Sequence, residues 1–179
     1  MSGDKQLMRP GALPWLWVSV VVIALDQVTK RMITARFELY DRIEIWSILD
    51  ITRLHNTGAA FSFLSDAGGW QRYFFSVLAL VISVALIVRL YTVPRGQWLF
   101  ALSLSLILAG ALGNVWDRVA LGYVVDFISV HYDRHYFPAF NLADSAISVG
   151  AACLLLDSFL ARDSAGHNER SDNSERNGG

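Results

Sequence analysis

The chain has 179 residues, is 54% hydrophobic with a mean hydropathy of +0.37, and carries a net charge of −1. A balance so close to neutral excludes a global field that would recruit nucleic acid or an acidic partner. A single cysteine, Cys153, excludes an internal disulfide framework. The apolar residues fall into four blocks, at about 13–32, 73–91, 98–116 and 140–160. Each is near the roughly 20 residues that a helix needs to cross a bilayer, and no room is left between them for a separate soluble domain.

The first block follows Lys5 and Arg9, as the core of a signal peptide does, but it leads straight into DQVTKRM with no small-residue cleavage site. It is read as an uncleaved first helix. Asp26 and Lys30 close it at i,i+4 spacing, which also fits a plain interfacial ion pair worth a few tenths of a kcal/mol. In the loop that follows, YDRIEIW alternates polar and apolar residues, Ser47 interrupts, and LDITRL resumes the alternation, which predicts a short hairpin or small sheet. HNTGAAFSF comes next, with Asn56, and with Gly58, Ala59 and Ala60 leaving backbone open to close approach.

The second and third blocks are joined by the tight loop TVPRGQ. Asn114 and Arg118, again i,i+4, close the third; on its own, Arg118 also fits a side chain snorkelling to the head groups. The long loop over 117–139 contains GYVVDFISV, where Asp126 sits between Val125 and Phe127 and gains nothing obvious from solvent. The fourth block opens with FNLADS: Asn141 reads as an N-cap and Asp144 as the acidic residue three places on, both favoured at a helix start. Cys153 follows Gly150, Ala151 and Ala152, a run suited to close helix packing.

Trp15, Trp17, Trp70, Tyr73, Trp98 and Trp116 fall near span ends, as interfacial aromatics do. His131 and His135 are four apart but lack a third ligand, so no metal is expected. The reading is one membrane domain over 1–161, followed by a polar tail over 162–179 without fixed structure.

Strict alternation of direction brings the end of the first span, the end of the third, the start of the fourth and both long loops to one side of the membrane. Polar groups in spans usually face the bundle interior and mark function. Asp126 and Asp144, brought close together, could share one proton, an arrangement suited to water-activated amide hydrolysis. Competing schemes lack parts. There is no GxSxG elbow, no histidine near Cys153 and no phosphate-binding glycine loop. A proton-coupled carrier would concentrate charge at the midplane and show an internal repeat, and a non-catalytic assembly factor would bind its precursors whether or not either aspartate is present and would not cleave them. Lysine and arginine number seven on the side of the termini and eight on the other, so charge counting gives no orientation.

DQVTK, HNTGAAFSF, GALGNVWDRV, GYVVDFISV and FPAFNLADS, in this order over 13–160, resemble the lipoprotein signal peptidase (signal peptidase II) family. The resemblance implies an all-α membrane protein of four transmembrane helices, with a small extracytoplasmic β-sheet in the first long loop cradling substrate and the 117–139 loop closing over it. It implies an aspartic endopeptidase of the bacterial inner membrane, acting without a cofactor. Its partners would be membrane lipid and the signal peptides of lipid-modified prolipoproteins, cut just before the diacylglyceryl-modified cysteine. Carried over by motif, Asp126 and Asp144 are the catalytic pair, and Asp26, Lys30, Asn56, Gly58, Asn114, Arg118 and Asn141 support the pair and the substrate. The termini would be cytoplasmic, the site periplasmic and the protein a monomer.

Overall fold

A computed structural model describes residues 11–58 and 70–177, the last stretch from 161 as backbone only. A 3-10 turn over Leu13–Trp15, with Pro14 at its start, leads into helix α1, Leu16–Arg36. Three further helices follow: α2, Trp70–Thr92; α3, Trp98–Ala120; and α4, Leu142–Asn177. Among the described residues α2, α3 and Leu142–Leu160 of α4 are long and apolar enough to cross a membrane. Helix α1 has the length, 21 residues or about 32 Å, but carries Asp26, Lys30 and Arg31. Two of those three are turned inward, Asp26 at 0% and Lys30 at 3% exposure, while Val20, Leu25, Val28 and Met32 face outward. Backbone in helical geometry continues through α4 to Asn177, where the sequence reading expects a tail without fixed structure; no proline lies in that stretch to stop it.

Helix α3 packs against the other three. Its contact with α4 is close because the seam is made of small residues. A Cβ at Gly110 would collide with the Ala143 carbonyl, one at Gly113 would stand 3.3 Å from Ala143 Cβ, and one at Gly150 would stand 2.8 Å from Ile107 Cγ1. An apolar cluster of Ala12, Leu90, Val93, Ala101, Leu104 and Leu108 fills the end of the bundle where the 3-10 turn meets α2 and α3.

At the other end lies an antiparallel sheet of order β1-β2-β3-β4: Arg42–Trp46, Leu49–Asn56, Val124–Tyr132 and His135–Tyr136. The hairpin anticipated from YDRIEIW and LDITRL is present as β1 and β2, with a bulge between Glu44 and Trp46. The expectation that the sheet belongs to the first long loop is corrected, because β3 and β4 come from the second. VVDFISVHY is rich in the β-branched and aromatic residues that suit a pleated surface, and it pairs along β2 from Leu49↔Val130 to Asn56↔Val124. The second loop therefore extends the sheet instead of lying over it.

Candidate active site

Asp126 is the third residue of β3 and is 3% exposed. Strand β2 supplies Asn56, whose Nδ2 donates to Asp126 Oδ2 at 3.0 Å. The other oxygen, Oδ1, accepts from Asn141 Nδ2 at 2.7 Å. Burial pushes this carboxyl up to about 6 from its ordinary 3.8; nearby Asp144 adds to the rise, and the two amide donors oppose it.

What carries Asp144 to the same place is Phe140. Its backbone N–H donates to the Ile128 carbonyl at 3.0 Å, and the Ile128 N–H donates back at 2.8 Å. The chain is thereby pinned to β3 immediately before α4 begins. Asn141 then caps the helix: the Asp144 N–H donates to Asn141 Oδ1 at 2.9 Å, and the Asn141 N–H donates to Asp144 Oδ2 at 3.3 Å. This is the reciprocal capping box that FNLADS anticipates. Its two side chains face the site as well as the helix end.

Asn114, nearly two turns before the end of α3, joins these parts. Its Nδ2 donates to Asp144 Oδ1 at 2.7 Å, while its Oδ1 accepts from Lys30 Nζ at 3.2 Å and from Asn141 Nδ2 at 3.3 Å. Lys30 also pairs with Asp26 Oδ2 at 2.8 Å. Asp26 Oδ1 accepts the Ala143 N–H at 2.9 Å, satisfying a donor in the first turn of α4 that the helix cannot pair internally. Arg118 lies within electrostatic reach of Asp144, Asp126 and Asp117. Its Nη1 donates to the Asn114 carbonyl at 3.3 Å, and its buried Nε has no hydrogen-bond partner among the described residues.

Gly58 has φ of +100°, and its N–H donates to Asn56 Oδ1 at 2.9 Å, which holds the Asn56 amide aimed at Asp126. A side chain there would be strained by the positive φ and crowded by Phe75, 3.0 Å away. Ala59 and Ala60, the rest of the open backbone in HNTGAAFSF, lie outside the described residues. Every anticipated site residue that is described thus gathers at this one end. His131 takes part in another cluster, pairing with Asp50 at 3.3 Å and stacking on Tyr136.

Sequence reasoning missed Gln27 and Asp117. Asp117 pairs with Lys30 at 2.8 Å and accepts from Gln27 Nε2 at 2.9 Å. The signal was available: Asp117 is three residues beyond Asn114 and so on the same helix face.

The arrangement sets two carboxyl groups on separate elements and bridges them through the side-chain amides of Asn141 and Asn114. A family model described as signal peptidase (SPase) II matches residues 18–160. A lipoprotein signal peptidase of Pseudomonas aeruginosa is 51% identical over 158 residues, 87% of this chain and 94% of the relative. One of Ectopseudomonas mendocina is 52% identical over 159 residues, 88% of this chain and 94% of the relative. A bacterial membrane enzyme solved by the in meso method at 2.3 Å resolution superposes with a TM-score of 0.73 at 33% identity, covering 86% of this chain and 90% of that one. With matches running through all four helices and the sheet, the chain belongs to the signal peptidase II family and is an aspartic peptidase.

Proposed function

We propose that the protein removes signal peptides from bacterial prolipoproteins, cutting the peptide bond before the diacylglyceryl-modified cysteine, with Asp126 and Asp144 as the catalytic pair. The observation that carries this reading is the amide bridge. Asn141 donates to Asp126, Asn114 donates to Asp144, and the two asparagines bond to each other. Carboxyls tied together in this way, one of them held near 6, are suited to sharing one proton.

The ionised carboxylate takes a proton from water as the water oxygen attacks the scissile carbonyl carbon. The protonated carboxyl donates to the carbonyl oxygen, giving a tetrahedral diol with no net charge transfer to solvent. Return of a proton to the peptide nitrogen lets the C–N bond break. The lipid-bearing cysteine leaves with a free amine, and the signal peptide leaves with a carboxylate. Asn56, Asn114 and Asn141 hold the pair, Asp26 and Lys30 hold the start of α4, and Arg118 presents unused donors to substrate carbonyls. Gly58 lets the substrate backbone come close.

In this reading α1 is the fourth span, since its outward face is apolar and its acid and lysine point inward. The termini are cytoplasmic and the sheet and site periplasmic. The enzyme is a monomer of one domain over 1–161, taking substrate sideways from the lipid. Asp126→Asn and Asp144→Asn should each abolish cleavage of a lipidated precursor by purified, monodisperse protein. Turnover near wild type by either variant removes the pair from the mechanism.

A further inference from the structure

Asp117 is the carboxylate of the buried network that the peptidase chemistry leaves unused. It is 2% exposed, at the end of α3. Its Oδ1 accepts from Gln27 Nε2 at 2.9 Å. Its Oδ2 accepts from Lys30 Nζ at 2.8 Å and from the backbone N–H of Val125 at 3.3 Å. Val125 is covalently joined to Asp126. Lys30 donates to Asn114 Oδ1, and the Asn114 amide donates to Asp144. One carboxylate is therefore linked to the strand of one proposed catalytic residue and, through two hydrogen-bonding side chains, to the other.

We propose that Asp117 is a positioning residue that holds the two carboxyls in register, by anchoring β3 at Val125 and by fixing the direction of the Asn114 amide through Lys30. The amide is the sensitive part. Reversed, it would aim its NH2 at the Lys30 ammonium and the Asn141 NH2 and its oxygen at the Asp144 carboxylate, and of the two donors on its oxygen the ammonium is the charged one and so the stronger constraint. Asp26 cannot do this alone. One of its oxygens is committed to the Ala143 N–H, and it lies on α1 with Lys30 itself, whereas Asp117 draws the ammonium towards α3 and Asn114.

The inference rests on the Asp126–Asp144 reading, and steady-state cleavage of a lipidated precursor peptide by the purified full-length protein separates the two. Asp117→Asn keeps the shape and loses the charge. Its kcat per folded enzyme should fall on the order of 10²-fold, as expected when reacting groups are misplaced by about 1 Å. KM should stay within about twofold, because no substrate contact is removed. Asp117→Glu keeps the charge and the Lys30 pair and should recover roughly tenfold of that loss. A wild-type kcat in Asp117→Asn, or a loss carried wholly in KM, overturns the assignment. Should Asp117→Asn not fold, Asp117→Glu decides: a kcat drop of about tenfold at constant KM supports the assignment, and wild-type kcat overturns it. If Asp126→Asn still cleaves, the reading of the pair fails first; if Asp126→Asn is dead and Asp117→Asn fully active, only the positioning role falls.

Discussion

Asp126 is almost wholly enclosed, yet each of its oxygens faces an amide donor. That combination tolerates both protonation states, whereas a buried carboxyl without partners would simply stay neutral. The rise of Asp126 to about 6 comes chiefly from burial, and the nearby Asp144 charge adds to it. In the proposed mechanism, loss of the Asp126 proton should set the alkaline limb of activity. Asn56 stabilises the ionised form, so removing it makes ionisation harder and raises the apparent pKa. Asn56→Ala is expected to move the alkaline limb of kcat/KM upward from about 6, with lower peak activity; a pH–rate profile that stays in place or moves down contradicts the assigned donor. At this scale the sequence was informative about types and poor about partners. Asp126 between Val125 and Phe127 was conspicuous because it had no local explanation. Its contact with Asn56 crosses two strands 70 residues apart, which no spacing rule reaches.

At the scale of elements, features written in neighbouring residues were readable and those written between distant elements were not. FNLADS contains its own capping box, so the start of α4 follows from six residues. The small sheet was half visible, since β1 and β2 form a local hairpin but β3 joins them across the whole of α2 and α3. The α3–α4 seam was hidden for the same reason. Gly110 looks like any apolar-span glycine until Ala143 is found against it, and Ala143 sits directly before Asp144. Gly110→Ala should therefore do two things. Overpacking at the seam is expected to cost roughly 1–3 kcal/mol, visible as a lower thermal midpoint in detergent. The displaced first turn of α4 should also reduce kcat by more than the unfolded fraction explains. A variant with wild-type midpoint and wild-type kcat would mean that the seam has slack the structure does not show.

Across the whole molecule, the design is a bundle whose polar chemistry is confined to one end while its flanks stay fit for lipid. On α2, Val77, Val81, Val84 and Val88 are each 59–62% exposed, an outer stripe that is left open among the described residues. The site lies where helix ends meet the sheet, so carboxylates sit near a boundary, and their desolvation is smaller than at a bilayer centre. Charge counts could not orient this bundle because seven cations oppose eight; convergence of the acids came instead from counting alternating spans. The proposed active site, opening at a membrane edge, would need its substrate presented there. In the proposed function the acyl chains of the precursor would supply that anchoring, at about 0.8 kcal/mol per buried CH2. They would concentrate the precursor in the plane where the enzyme lies and fix the depth of its cysteine relative to Asp126 and Asp144. A precursor peptide without its diacylglyceryl group is accordingly expected to lose at least about 10²-fold in kcat/KM, since both concentration and depth are lost. Part of that loss should persist in kcat at saturating peptide, because depth determines alignment and added peptide cannot restore it. Equal kcat/KM for the two peptides in the same detergent or vesicles would show that the site reads the polypeptide alone, and would remove the lipid from the proposed recognition.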